Sequence, residues 1–210
     1  MRLQSDCCIA EPMERLLRFC QAEYRYYDGI RSDEPNRIEP LDLLATISVS
    51  AFFAVNATRV REIHQGLAAA CNSLLAEIPE DADLLSFDPS LETVRDLLHL
   101  AIQVPRVLIP VATKVLHRKR RALIPMLDNV VLAHYLGTSP DHLPAATQDK
   151  RRAAGIAVEV LQSVRDNLRI GQSELDSLRQ SLAVNGYTLT TIRILEFLIW
   201  SEVEPYGYYR

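Results

Sequence analysis

Between Val111 and Asp128 the sequence reads VATKVLHRKRRALIPMLD, which brings one amine, a run of cations and one carboxylate into a short span. Lys114 and Asp128 are the candidate catalytic pair. An amine facing a carboxylate across a helix and a turn could attack an anomeric carbon or stabilise an oxocarbenium-like charge. The plainer alternative leaves Lys114 in solvent and makes Asp128 the N-cap of the next helix, accepting the amide of residue 130 or 131. The cations Arg118, Lys119, Arg120 and Arg121 fit a phosphate-binding site, or equally a helix C-terminus favoured by the macrodipole. On a helix, successive residues turn by about 100°, so two of the four at most would face one groove.

The neighbourhood of this span is unusually free of acids. From Leu97 to Leu127 there is no Asp or Glu, while Arg106, Lys114 and the four consecutive cations fall inside it. The chain as a whole carries a formal charge of −4, so the remainder is strongly acidic. A basic island concentrates field locally, although the molecule repels polyanions at long range. Arg106 and Arg118 to Arg121 are therefore the candidate nucleic-acid-binding residues, with DNA or an acidic protein as the partner.

Other chemistries find no support in the spacing. The histidines show neither H-x-x-x-H nor H-E-x-x-H, and the four cysteines contain no C-x-x-C, so no metal site is expected. Seven glycines form no phosphate loop and no nucleophile elbow, and no cofactor is implied. No apolar run is long enough to cross a bilayer, and MRLQSDCCIAEPMERL lacks the apolar centre of a signal peptide. A cytoplasmic protein without a membrane partner is the expectation.

The elements that must position these residues are helical. Hydrophobic residues make up 48% and charged ones 24%, ordinary globular values that allow a sizeable core. Apolar residues recur at three- and four-residue steps almost throughout, predicting an all-α, compact bundle of about eight or nine helices forming a single domain over residues 1–210. The first helix spans Met13 to Tyr27. LDLLATISVSAFFAV satisfies both periods and is read as a helix, because a lone strand would have no partner. Thr58 and Ser90 are expected to cap the next two helices. A short helix begins near Pro110, and another starts at Asp128 and stops at Gly137. A long helix is expected to end at Gly171, with Ser173 opening its successor, which closes at Asn185-Gly186. The last runs from about Thr190 to Pro205.

Two aromatic clusters, Tyr24-Arg-Tyr26-Tyr27 and Tyr206-Gly-Tyr208-Tyr209, combine tyrosine with arginine. They suit stacking on bases, docking of a terminal tail, or a homo-oligomer contact.

YRYYD, the central TKVLHRKR segment with its LIPMLD turn, and VEPYGYY together resemble a bacterial family of uncharacterised proteins. The chain is also similar, more distantly, to the helix-hairpin-helix DNA glycosylases. In those enzymes a Leu-Pro-Gly-Val-Gly hairpin is followed by a helix and then by a Pro-x-Asp turn. Leu108-Ile-Pro-Val-Ala-Thr-Lys-Val115 falls at the hairpin and Pro125-Met-Leu-Asp128 at the aspartate turn. The resemblance implies a two-lobed helical fold, DNA as partner, Lys114 at the Schiff-base position and Asp128 at the carboxylate position. It departs from the pattern at Pro110 and Ala112, where the hairpin glycines would stand, and by one extra residue between Pro125 and Asp128. It allows an enzyme or a catalytically degenerate descendant, and a non-enzymatic interaction module is the alternative.

Overall fold

The computed structural model describes residues 9–30, 32–49, 56–88 and 90–203. Among them there are eight α-helices and no strand: α1 (Pro12–Glu23), α2 (Pro40–Ser48), α3 (Ala57–Leu75), α4 (Glu92–Gln103), α5 (Ile109–His117), α6 (Asn129–Leu136), α7 (Ala153–Val184) and α8 (Thr191–Val203). The periodicity predicted this class and number. A contiguous core runs from Ile9 to Ile199 and draws on every helix. The long α7 packs on α4 and α8, α3 lies along α4, and α2 bridges α3 and α5.

Helix ends depart from the sequence expectation at defined places. Asn56, not Thr58, caps α3, its Oδ1 accepting the Arg59 amide at 2.9 Å. At the start of α4 the cap position is Leu91, in left-handed backbone at φ 54°, and Ser90 Oγ accepts only the Glu92 amide at 3.3 Å. The expected break at Gly171 and Ser173 does not occur. Leu168, Leu175, Leu178 and Leu182 continue one buried stripe, so packing along α4 and α8 carries the helix through a buried glycine. Gly137 and Gly186 do end α6 and α7, at φ 64° and 85°, where a side chain would be strained. Of LDLLATISVSAFFAV, the first part is helical in α2, and residues 50–55 lie outside the described residues, as does the tyrosine-rich C-terminus.

The connection between α4 and α5 lies at the start of the segment compared with the glycosylase hairpin. It is the short turn 104–108, with Val104 and Val107 buried and Pro105, Arg106 and Leu108 exposed. The hairpin thus lies four residues before the position that the glycosylase resemblance gave it. Leu108 is the N-cap residue of α5, and Pro110 and Ala112 belong to that helix, where proline suits the first turn. Arg106, in this turn, has left-handed backbone at φ 69°. Gly66 of α3 supports this turn from below: a Cβ there would approach Val104 Cγ1 to 2.8 Å.

Candidate functional site

The four consecutive cations do not sit on a helix. α5 ends at His117, Arg118 is its C-cap, and the chain then turns through residues 118–123. Released from the 100° helical step, these side chains can all point into the protein, and they do. Arg118 Nε and Lys119 Nζ grip Asp42 at 2.9 and 2.6 Å, with the side chains at most 1% exposed. Asp42 is fixed in turn by a capping box at the head of α2, where its carboxylate also accepts the Glu39 amide. Arg118 Nη1 donates to the carbonyls of Tyr27 and Ile30, and Lys119 Nζ to that of Glu34.

Arg120 feels the charge of Glu80 but is hydrogen-bonded to oxygen dipoles and not to a carboxylate among the described residues. Its guanidinium donates to the carbonyls of Ile78, Leu75, Pro35 and Lys119 and to Asn36 Oδ1. Arg121, half-buried, reaches the carbonyls of Asp28 and Ile30. The run is therefore a clasp on the irregular segment between α1 and α2, whose carbonyls have no helical partner. Neither the solvated helix end nor an open phosphate track describes Arg118, Lys119 and Arg120 in this structure, because their donors are turned inward and shielded from water.

Lys114 and Asp128 occupy one neighbourhood without forming an ion pair. Lys114 is buried, and its Nζ donates to the Val49 carbonyl at 2.6 Å. Burial pushes its pKa down, and the charge of Asp128 pulls against that. Asp128 caps α6, its Oδ1 accepting the amides of Val130 and Val131 at 3.0 Å each. Its half-buried position makes it the open side of a deeper ionic cluster.

That deeper cluster was not foreseen. Arg193 of α8 forms a forked pair with Asp28, Nε to Oδ1 at 3.0 Å and Nη2 to Oδ2 at 3.2 Å. Glu196, one turn on, lies 3.5 Å from Arg193 Nη1 and accepts the Met126 amide, while its Oε2 has no hydrogen bond. Burial pushes the Glu196 carboxyl up to about 8, against the pull of Arg193. His117 is held neutral, its pKa lowered to about 3 by burial and by Arg193. Its Nδ1 must carry the proton, since its neighbour at 2.7 Å is the Ile124 carbonyl, which only accepts. The Tyr27 hydroxyl donates to the Lys114 carbonyl at 2.6 Å, which closes the cluster against α5. The signal for it was present in TIRILEFLIW, where Arg193 and Glu196 are the two charges in an otherwise apolar stretch and stand one turn apart.

Exposed cations near the α4–α5 turn lie elsewhere. Arg106 stands open on the hairpin tip, and Arg151 and Arg152 are exposed just before α7. Lys150 joins the two places: its Nζ donates to the carbonyls of Gln103 and Val104 at 3.0 Å, and Gln103 Nε2 donates back to the Lys150 carbonyl at 3.3 Å. Among the described residues no three His, Cys, Asp or Glu side chains converge as metal ligands would, and no helix is long and apolar enough to cross a membrane.

These features define an all-α protein with a short turn joining α4 and α5 and a buried ionic interior. Its affiliation follows from sequence comparison: a family model described as "Family of unknown function (DUF6308)" matches residues 14–203, and the chain belongs to that family. No curated protein and no solved structure matches it.

Proposed function

We propose that the protein is a duplex-DNA-associated protein of helix-hairpin-helix type, in which the α4–α5 hairpin, and not the Arg118–Arg121 run, meets the phosphates. One observation carries this reading: Arg106 stands exposed, in left-handed backbone, at the tip of a turn joining two helices in the acid-free window. The resemblance to helix-hairpin-helix glycosylases names the ligand, since those proteins lay such a turn on a DNA backbone. Phosphate contacts of this kind position a protein on duplex without reading sequence.

The proposal includes no base excision. An amine acting as nucleophile must reach its substrate, whereas Lys114 is buried and bonded to Val49. The test is fluorescence anisotropy with a short duplex between about 50 and 200 mM salt. Arg106→Ala should weaken binding to all sequences and lower the salt slope by about 1. Asp128→Asn and Lys114→Ala should leave that slope unchanged. Absence of duplex binding at low salt would refute the proposal.

A second reading, a helical interaction module, is favoured by Leu41 and Leu44, 44% and 51% exposed on α2. Light scattering across a concentration series tests it, and a monomer throughout removes the homo-oligomer form.

A further inference from the structure

We infer that residues 150–152, together with the open first turn of α7, form a second phosphate-contacting strip that extends the hairpin into one continuous duplex-docking face. The inference rests on the DNA reading above and adds to it a second, independent contact. Its basis is the reciprocal tie between Gln103 and Lys150, which fixes the start of the 150–152 strip against the end of α4. Arg106 is three residues from one side of that tie, and Arg151 and Arg152 are one and two residues from the other. At about 3.6 Å of reach per residue, the backbones of all three arginines lie within roughly two helical turns' length of the tie.

Lys150 spends its charge on the carbonyls that end α4, so it acts as the anchor, whereas Arg151 and Arg152 remain exposed. The nearby acid, Asp149, turns its Oδ1 onto the Arg151 amide at 3.0 Å, so that oxygen is engaged with backbone.

Gly155 supplies a further reason to place a ligand on this face. It is exposed in the first turn of α7, and a Cβ there would meet nothing within 4 Å. Helical glycine is unfavourable relative to alanine, and no contact among the described residues calls for it. A bare backbone on this turn lets a sugar-phosphate strand approach closely between Arg152 and the helix, in the way that glycine serves other close backbone approaches.

The test compares three variants of the full chain by anisotropy on duplex DNA. Arg151→Ala with Arg152→Ala should lower the salt slope by about 2, since each phosphate contact contributes about 0.9. At about 0.1 M salt this corresponds to binding tens-fold weaker. Arg169→Ala with Arg179→Ala, the same charge change at exposed sites further along α7, should leave the slope unchanged. Gly155→Leu changes no charge and should weaken binding several-fold, with thermal unfolding confirming that the variant is folded. If wild type binds and Arg106→Ala lowers the slope while the 151/152 pair does not, the strip is overturned and the hairpin reading stands. If Gly155→Leu binds like wild type, no strand approaches α7 and the strip is likewise overturned. If wild type does not bind duplex at all, both fall.

Discussion

Replacing Arg120 by methionine is the sharpest test of the clasp. The substitution keeps most of the buried volume and removes the guanidinium that donates to Ile78, Leu75, Pro35, Lys119 and Asn36. An acceptor left buried without its donor costs about 1–3 kcal/mol, so five acceptors set an upper bound well beyond what a domain can lose. Two effects reduce it: the desolvation cost of the charge disappears, and some carbonyls, Leu75 among them, keep a second partner in the Ile78 amide. The expected net loss is about 3–5 kcal/mol, as for two or three acceptors left without a donor at about 1–3 kcal/mol each. Arg120→Lys keeps the charge but has no fork to span acceptors from three segments, and should recover less than half. Urea unfolding measures both; at an m near 2–3 kcal/mol/M the midpoint falls by roughly 1.5–2 M with m unchanged. The salt slope of duplex binding should not move, since the side chain does not reach solvent. A variant within about 0.5 kcal/mol of wild type would show that the guanidinium holds nothing, and the clasp would be refuted.

Two further outcomes follow from the interior. Glu196 retains a native proton between its ordinary value of 4.5 and about 8, so stability falls as pH rises through that window, by about 1.4 kcal/mol per unit. His117 refuses one between 6.5 and about 3, so stability falls as pH drops there; the slopes cancel between 4.5 and 6.5, giving a plateau with a decline on each side. Urea midpoints against pH read this, Glu196→Gln should flatten the alkaline limb and turn the plateau between 4.5 and 6.5 into a rise of about 1.4 kcal/mol per unit, and stability rising from pH 6.5 to 8 in wild type would contradict it. Alanine at Gly66 and at Gly155 should act with opposite signs in thermal unfolding. The Gly155 variant gains about 0.5–1 kcal/mol of helix propensity in open space, whereas at Gly66 the contact with Val104 outweighs that gain by about 1 kcal/mol. Stabilisation at both sites would mean that α3 is not packed against the hairpin as described.

What the sequence disclosed and what it hid divide along physical lines. Apolar period is a property of one helix and its neighbours, so the helical class and most helices could be read directly. Asp128 was legible as a cap because capping is local: a carboxylate before an apolar run has amides two and three residues on to bind. Gly171 misled because a glycine's local cost is small beside the tertiary packing of Leu168, Leu175 and Leu178. The cation run misled more deeply. Its partners, Asp42 and the carbonyls of residues 27–36, are far away in sequence, and backbone carbonyls are acceptors that no residue pattern displays. The turn after His117 changed the geometry as well, because four consecutive side chains can converge only once the helix has ended.

The burial of that run changes the electrostatic argument about partners. Among the described residues the buried basic side chains are Lys114, Arg118, Lys119, Arg120, Arg165 and Arg193, against the buried acids Asp28, Asp42 and Glu196. These carry a formal +3 inward, so the rest of the chain holds −7 of the total −4. The buried cations cannot touch a phosphate, so the acid-free window offers fewer contacts than its composition suggests, while a duplex at a distance still meets the net charge of −4. Attraction can act only within about one Debye length, 8–10 Å at ordinary salt, of the cations that remain exposed. A single arginine on a hairpin offers little against that background. On the proposed DNA reading, binding then requires several exposed cations close together, and the tie from Lys150 to the end of α4 is the contact that links the segments carrying Arg106, Arg151 and Arg152.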